Sequence, residues 1–212
     1  MTKTIVIDYG VGNVGSLCNG LARANIDYMT LKSGEDGEIH PRAIILPGVG
    51  AIGEAMHRIK NSGIASYLER WVIGQKTPFL GICVGMQVLG TVGLEFGRHE
   101  CLNWIPGTVE RIAPVESGIK LPHVGWNSID VAGGDSVLSD FNGQFMYFTH
   151  SYALRCDQQY VAATSDYFNT FPVAVRKDHI YGVQFHPEKS AAVGDRLLKN
   201  FIQFADRCSA NA

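Results

Sequence analysis

The sequence of 212 residues lacks an apolar run long enough to cross a bilayer, a basic run and any low-complexity tract. Its formal net charge of −2 at pH 7 gives no support for binding to nucleic-acid phosphates. We therefore expect neither a membrane nor a nucleic acid among its partners. With 46% hydrophobic residues, the chain has enough apolar material for a sizeable core, and no linker-like stretch divides it. One domain over residues 1–212 is the expected organisation.

Paired cysteines are also absent. The five cysteines are odd in number and widely scattered, and no two of them form a C-x-x-C motif. This pattern indicates neither a zinc knuckle nor a disulfide framework, and we expect no metal site. The first residues lead into a strand-like run without a signal peptide, so a reducing, cytoplasmic setting is the simplest expectation.

The first half of the chain alternates between strand-like and helix-like segments. Apolar runs predict strands at 4–7, 27–31, 42–46 and 79–82. The spacing of apolar residues predicts helices at 14–24, 52–60, 64–73 and from Met86 onward. This order is typical of an α/β fold with a mostly parallel sheet flanked by helices.

The second half is richer in β-structure. Turn signals such as those at 105–107, 132–135 and 141–143 separate short apolar runs. These runs predict strands at 108–112, 127–131, 145–148, 160–164, 173–176 and 180–185. A closing helix is expected from about residue 191 to residue 206, because its apolar residues share one face. We therefore expect mixed or antiparallel strands in a β-rich C-terminal half.

The segment 78–87 has the sequence pattern of a nucleophile elbow. Cys83 stands between Gly81 and Gly85, after an apolar strand and before a helix-compatible segment. On such a strained turn, side chains at the two flanking positions would clash with neighbouring backbone. A helix N-terminus beneath the sulfur favours the thiolate over the thiol. An ordinary buried cysteine after a core strand would give the same local pattern, so the motif alone leaves both interpretations open.

Two further glycine-rich turns follow predicted strands. Gly10, Gly12 and Gly15 match the G-x-G-x-x-G pattern of dinucleotide-binding turns, but the next strand does not end in an acidic residue. A tight turn of an α/β sheet is the favoured interpretation, and we expect no cofactor. The second turn, at 47–50, follows a strand as Cys83 does. Because ligands bind at the carboxyl ends of parallel strands, we expect these two segments to be neighbours in space.

A second candidate site, His186-Pro187-Glu188, follows the apolar run 180–185. A cysteine nucleophile needs a base, and the base needs a group that orients it. Cys83, His186 and Glu188 supply such a set. The tripeptide alone would suit a surface turn after a strand, but its coincidence with the elbow favours a catalytic role.

The segments 81–87 and 184–188 together resemble the signature of class I glutamine amidotransferases, which use a Cys-His-Glu triad. Further motifs at 8–13, 46–50, 122–127 and 150–152 resemble the glutaminase subunits of imidazole glycerol phosphate synthases, enzymes of histidine biosynthesis. The resemblance covers about residues 4–204. It implies a flavodoxin-like amidotransferase fold in which a mostly parallel sheet is flanked by helices.

This resemblance also implies a mechanism and a glutamine site. The Cys83 thiolate would attack the amide carbon of L-glutamine, and His186 would protonate the departing ammonia. An oxyanion hole would come from the backbone N–H of Val84 and one from the 47–50 segment, at Val49 or Gly50. In the family that segment reorients to complete the hole. The residues that would hold glutamine are Gly50, Gln87, Glu95, Ser151 and Tyr152.

The partner implied by the resemblance is a (β/α)8-barrel cyclase subunit. In the resulting heterodimer, ammonia passes through an internal channel, and the products are imidazole glycerol phosphate and an aminoimidazole carboxamide ribotide. Free ammonia in water is mostly protonated and diffuses away, so direct transfer is needed. Asn13, Trp126 and Lys189 are the candidate interface residues. A core position for Trp126 is an equally open interpretation.

Four apolar or hydroxyl positions depart from the usual family pattern: Ile52, Val84, Val124 and Thr149. None removes a polar catalytic group, so they leave glutamine hydrolysis intact and the identity of the partner open. The alternatives are a paralogous subunit that supplies ammonia to a sugar-modifying enzyme of surface polysaccharides and a stand-alone γ-glutamyl hydrolase. An inactive scaffold is disfavoured because the triad is intact.

Overall fold

A computed structural model describes residues 3–34, 39–113 and 118–210. The helices are α1 (Val14–Arg23), α2 (Ile52–Asn61), α3 (Ile64–Leu68), α4 (Val84–Gln87) and α5 (Ala191–Ala210). The strands are β1 (Thr4–Ile7), β2 (Tyr28–Leu31), β3 (Ala43–Gly48), β4 (Phe79–Cys83), β5 (Val92–Gly93), β6 (His99–Glu100), β7 (Gly107–Arg111), β8 (His123–Ser128), β9 (Asp130–Val131), β10 (Phe145–His150), β11 (Tyr152–Cys156), β12 (Val161–Asp166), β13 (Thr170–Lys177) and β14 (Ile180–Val183). Among the described residues, no helix has both the length and the apolarity needed to cross a bilayer.

The central sheet has eight strands in the described ranges, in the order β2-β1-β3-β4-β14-β13-β12-β9. The pairs of adjacent strands from β2 to β14 are parallel, and the pairs from β14 through β13 and β12 to β9 are antiparallel. The predicted α/β class, with a mostly parallel sheet and a β-rich second half, is therefore confirmed. Strand β14 comes from the second half of the chain but pairs with β4, so that Gly182 lies opposite Gly81.

The buried strands and one-sided helices follow from the apolar pattern. Strands β1, β3, β4 and β14 are buried along their whole length, as expected for parallel strands covered on both faces. Helices α1 and α2 bury only their apolar stripes, which include Leu17, Leu21 and Ile59.

Two smaller sheets complete the second half. Strands β8 and β10 form an antiparallel ribbon, and β11, β7, β5 and β6 form a four-stranded sheet. The single strand predicted at 127–131 is wrong, because the chain leaves the ribbon after Ser128 and joins the central sheet at Asp130. The helix predicted at 64–73 is α-helical only as far as Leu68, and a π-helical segment follows at Glu69–Gly74.

Candidate active site

Cys83 ends strand β4, and helix α4 begins at the next residue. Its backbone has φ 55° and ψ −110°, a left-handed conformation that is strained for a residue with a side chain. The side chain is buried, with 4% of its surface exposed. The predicted strand, tight turn and helix are therefore present, although the helix begins at Val84, two residues earlier than expected.

The two glycines around Cys83 are required by close backbone contacts. A Cβ atom on Gly81 would lie 2.2 Å from the carbonyl oxygen of Gly85, and one on Gly85 would lie 1.9 Å from that of Leu46. Both distances are far below van der Waals contact, and backbone oxygens cannot move aside as a flexible side chain can. The predicted clash with neighbouring backbone is confirmed.

His186 and Glu188 meet shortly after strand β14, which ends at Val183. The Nδ1 atom of His186 lies 2.8 Å from Oε1 of Glu188, and both side chains are buried. Pro187–Lys189 form a single 3-10 turn that brings the carboxylate back to the ring. Because a carboxylate accepts, Nδ1 carries the proton of this hydrogen bond, and Nε2 is the ring atom left for chemistry.

The other ring nitrogen of His186 is placed for proton transfer with the thiol. Burial lowers the pKa of His186, but hydrogen bonding to Cys83 and Glu188 and their negative charges outweigh it and raise the pKa to about 10. The contact between Nε2 of His186 and Cys83 falls outside the usual length or angle of a hydrogen bond, and Nε2 is buried with no other partner among the described residues. A base with a carboxylate behind it and a free nitrogen near a thiol has the arrangement needed to activate a nucleophile.

Ser190 and strand β10 hold His186 in place. The backbone N–H of His186 donates to the carbonyl of Tyr147 at 2.9 Å. The Ser190 hydroxyl donates to the carbonyl of His186 at 2.7 Å and accepts from the N–H of Tyr147 at 3.0 Å. Sequence reasoning missed this role of Ser190, because the pairing of β10 with the His186 segment has no local signal.

A cavity of about 160 Å³ opens beside Cys83. This volume suits a small ligand rather than a nucleotide or a drug-sized molecule, whose pockets start at roughly 300 Å³. Its lining includes the candidates for the oxyanion hole and for glutamine binding: Val49, Gly50, Cys83, Val84, Gln87, Glu95, Ser151 and Tyr152, together with Thr149 and His150. The 47–50 segment and Cys83 are neighbours, as predicted, because Gly48 pairs with Cys83 across β3 and β4.

Two side chains in the cavity wall are already fixed by hydrogen bonds. Glu95 Oε2 accepts from the backbone N–H of Ile52 at 3.0 Å and thereby caps helix α2, whose N-cap residue Ala51 has no capping side chain. Gln87 Nε2 donates to the carbonyl of Tyr152 at 2.9 Å. The wall therefore presents a carboxylate and a carboxamide at defined positions.

The three interface candidates occupy different settings. Trp126 is 51% exposed, so it is not a core aromatic, and its ring packs edge-on against Tyr147 with centroids 6.1 Å apart. Lys189 Nζ lies 5.7 Å from the centre of the same Tyr147 ring. Asn13 caps helix α1, since its Oδ1 accepts from the N–H of Ser16 at 3.2 Å.

The remaining cysteines lack these features. Burial raises the pKa of both Cys101 and Cys156 to about 11, and it also raises the pKa of Cys18 and Cys208. These thiols are therefore poor nucleophiles at neutral pH. Within 3–34, 39–113 and 118–210, no three potential metal-ligating side chains form a group that could hold a metal ion.

Comparison with known proteins agrees with this geometry. The family model for glutamine amidotransferase class-I matches residues 5–204. The chain is 39% identical over 204 residues to the imidazole glycerol phosphate synthase subunit HisH of Shouchella clausii, a match covering 95% of this chain and 98% of that protein. It is 42% identical over 208 residues to the subunit of the same name from Chloroflexus aurantiacus, covering 95% of each.

Solved structures resemble the fold at lower identity. A structure described as a glutamine amidotransferase has a TM-score of 0.74 and 20% identity, covering 95% of this chain and 98% of that one. The structure of PurLQS from Thermotoga maritima has a TM-score of 0.73 and 14% identity, covering 96% of this chain and 98% of that one. At these identities the likeness shows the fold alone.

Proposed function

We propose the following function for this chain, which belongs to the class-I glutamine amidotransferase family. It is an enzyme that hydrolyses glutamine, the glutaminase subunit of an imidazole glycerol phosphate synthase, and we infer that residues 1–212 act as one domain. The observation that supports the chemistry best is the buried 2.8 Å contact between His186 Nδ1 and Glu188, with Nε2 turned toward Cys83.

Our proposed reaction begins when His186 Nε2 takes the proton of the Cys83 thiol. The thiolate attacks the side-chain amide carbon of L-glutamine, and the resulting oxyanion is stabilised by backbone N–H groups of Val84 and of Val49 or Gly50. His186 then protonates the leaving nitrogen, which departs as ammonia, and a γ-glutamyl thioester remains on Cys83. Water activated by His186 releases glutamate and restores the thiol.

The cavity wall suggests how glutamine is held. We infer that Glu95 pairs with the α-ammonium group of the substrate, because it is the carboxylate among the residues lining the cavity. Gln87, Gly50 and the backbone of Ser151 and Tyr152 are proposed to bind the remaining polar groups. Since Glu95 also caps helix α2 just after Gly50, the same side chain would align the substrate with the oxyanion segment.

The proposed partner is a (β/α)8-barrel cyclase subunit that receives the ammonia. The outward face of the β8–β10 ribbon is a suitable docking surface, because Val124, Trp126 and Phe145 are each more than half exposed there. Lys189, beside Tyr147, adds a positive charge to the same face. Exposed aromatic and aliphatic groups with a cationic neighbour are typical of an interface centre.

The test is a glutaminase assay of the purified chain, alone and with the histidine-pathway cyclase and that enzyme's ligand. We expect very low turnover alone and strong stimulation by the cyclase. Equal activity of the isolated chain would contradict the subunit assignment and support a stand-alone hydrolase. Stimulation by a sugar-modifying synthase instead of the cyclase would contradict the histidine-pathway partner while leaving the glutaminase chemistry intact.

A further inference from the structure

Gln184, the first residue after β14, is completely buried beside the nucleophile. Its Nε2 atom lies 3.6 Å from Sγ of Cys83, within reach of an N–H···S hydrogen bond. Its Oε1 atom lies 3.1 Å from Nε2 of Gln87. No step of the proposed reaction uses this side chain, although it contacts the reacting sulfur.

One backbone carbonyl fixes the orientation of both carboxamides. The carbonyl oxygen of Tyr152 can only accept, so the Gln87 atom 2.9 Å away must be the amide nitrogen. That same nitrogen lies 3.1 Å from Gln184, which must therefore turn its carbonyl oxygen toward Gln87. The NH2 group of Gln184 then faces Cys83. A donor, rather than an acceptor, is directed at the sulfur.

Two buried histidines, His123 and His150, fix the same set of hydrogen-bond directions. His150 Nδ1 lies 2.9 Å from the Tyr152 carbonyl and must donate to it, so His150 Nε2 accepts from Nδ1 of His123 at 3.2 Å. Burial lowers the pKa of His123 to about 4 and that of His150 to about 3, so both rings stay neutral at physiological pH. The direction of every hydrogen bond from His123 to Gln184 is therefore constant.

We propose that Gln184 is a further catalytic residue, whose carboxamide N–H donates to the Cys83 sulfur and stabilises its thiolate before attack. This inference rests on the proposed function, since it takes Cys83 as the nucleophile. A thiolate is a far better acceptor than a thiol, so the bond favours loss of the thiol proton to His186 Nε2. After acylation the sulfur is neutral, and the donor no longer has an anion to stabilise.

Among the described residues, the ionisable groups near the sulfur are His186 and Tyr9, with Glu95 and His150 lining the same cavity; these groups are the same in wild type and in the Gln184 variants. His186, backed by Glu188, receives the proton. Tyr9 is buried, and burial followed by the charge of Cys83 raises the pKa of its phenol above the ordinary value. Tyr9 therefore stays neutral, and a change in thiol ionisation on substitution of Gln184 reports on the Gln184 hydrogen bond.

The test measures the rate at which iodoacetamide alkylates Cys83 in the intact chain as a function of pH, with mass spectrometry to identify the modified cysteine. In Gln184→Met, which keeps the length of the side chain but has no donor, we expect the midpoint of the alkylation–pH profile to move up by about one pH unit. Alkylation near neutral pH and glutaminase kcat with the cyclase should both fall about tenfold. In Gln184→Glu, which keeps the acceptor for Gln87 but adds a negative charge, the rise should be larger.

The exposed residue Gln159 provides a matched control, and Gln159→Met should leave the alkylation profile unchanged. An unchanged profile in Gln184→Met would overturn the inference, and if that variant does not fold, an unchanged profile in Gln184→Glu would do the same. The proposed function fails separately, if Cys83→Ala retains glutaminase activity. If Cys83→Ala is inactive and the Gln184 variants titrate like wild type, only the role of Gln184 is wrong.

Discussion

Glu188 accepts a 2.8 Å hydrogen bond from His186 although Pro187 alone separates them in the chain. The contact is possible because His186 has an extended backbone while the next three residues form a 3-10 turn. Both side chains are buried, so the carboxylate acts on the imidazole at short range with little screening by water.

Replacement of Glu188 by Gln should weaken the base without removing the ring. The carboxamide oxygen still accepts from Nδ1, but its lost charge lets burial lower the pKa of His186. We expect glutaminase kcat in the cyclase complex to fall by roughly 100-fold, the scale of general acid–base catalysis. Glu110→Gln, at an exposed carboxylate paired with Arg155, is the control and should behave like wild type. Wild-type turnover in Glu188→Gln would show that the carboxylate is dispensable.

The buried histidine pair should make the fold sensitive to acid. His123 and His150 have pKa values lowered by burial to about 4 and about 3, whereas the unfolded chain binds these protons near pH 6.5. Below pH 6.5 the unfolded state therefore binds up to two more protons, and the free energy of unfolding should decrease as the pH falls toward 4.

Urea denaturation at a series of pH values measures this dependence. His123→Gln keeps a donor for His150. In this variant the free energy of unfolding should decrease less steeply between pH 6.5 and 4, because the unfolded state then takes up about one proton fewer relative to the folded state. Replacement of the exposed Gln159 by Met, which neither adds nor removes a titrating group, should leave the slope as in wild type. A slope that does not change in His123→Gln would contradict the assignment of a buried neutral histidine.

Gly85→Ala should prevent the elbow from forming. Its Cβ would lie 1.9 Å from the Leu46 carbonyl oxygen, so β3 and α4 would have to move apart. We expect a destabilisation of more than about 4 kcal/mol or loss of soluble protein. Gly15→Ala is the matched control, because its Cβ would meet nothing within 4 Å in helix α1, and it should stabilise the fold by up to about 1 kcal/mol. Equal melting temperatures for the two variants would refute the contact.

Much of the elbow could be predicted because its determinants are local. The apolar run of β4, the glycines at 81 and 85 and the helix after Cys83 are adjacent in sequence, and each has a steric or electrostatic reason. The His-Pro-Glu segment was identified for the same reason. The functional roles of these residues remain predictions, whereas their proximity is a property of the fold.

Features that depend on contacts distant in sequence escaped prediction. The strand Tyr152–Cys156 exists because it pairs with β7, and its own residues show no clear alternation. The Gln184 hydrogen bond to Cys83 requires β14 to insert between β4 and β13. The exposure of Trp126 likewise depends on which face of the β8–β10 ribbon packs on the core, which neither strand determines alone.

Trp126→Ala should weaken the complex while leaving the chain folded. The side chain is 51% exposed and its buried half packs on Tyr147, so we expect the free energy of unfolding to fall by only about 1 kcal/mol. An aromatic anchor at an interface centre contributes about 2 kcal/mol, so the cyclase dissociation constant should rise at least about tenfold. Isothermal titration calorimetry measures it. Ile73→Ala, at a residue 39% exposed near the start of β14 and away from Cys83, is the control. Undiminished affinity in Trp126→Ala would place the interface elsewhere.

The central claim is that Cys83 releases the ammonia that the cyclase consumes. The most direct measurement follows ¹⁵N from amide-labelled glutamine into the imidazole product, using the chain together with the cyclase. We predict incorporation by wild type and by Cys208→Ala, and none by Cys83→Ala, which should still incorporate ¹⁵N from labelled ammonium. Incorporation of the glutamine label by Cys83→Ala would contradict the account.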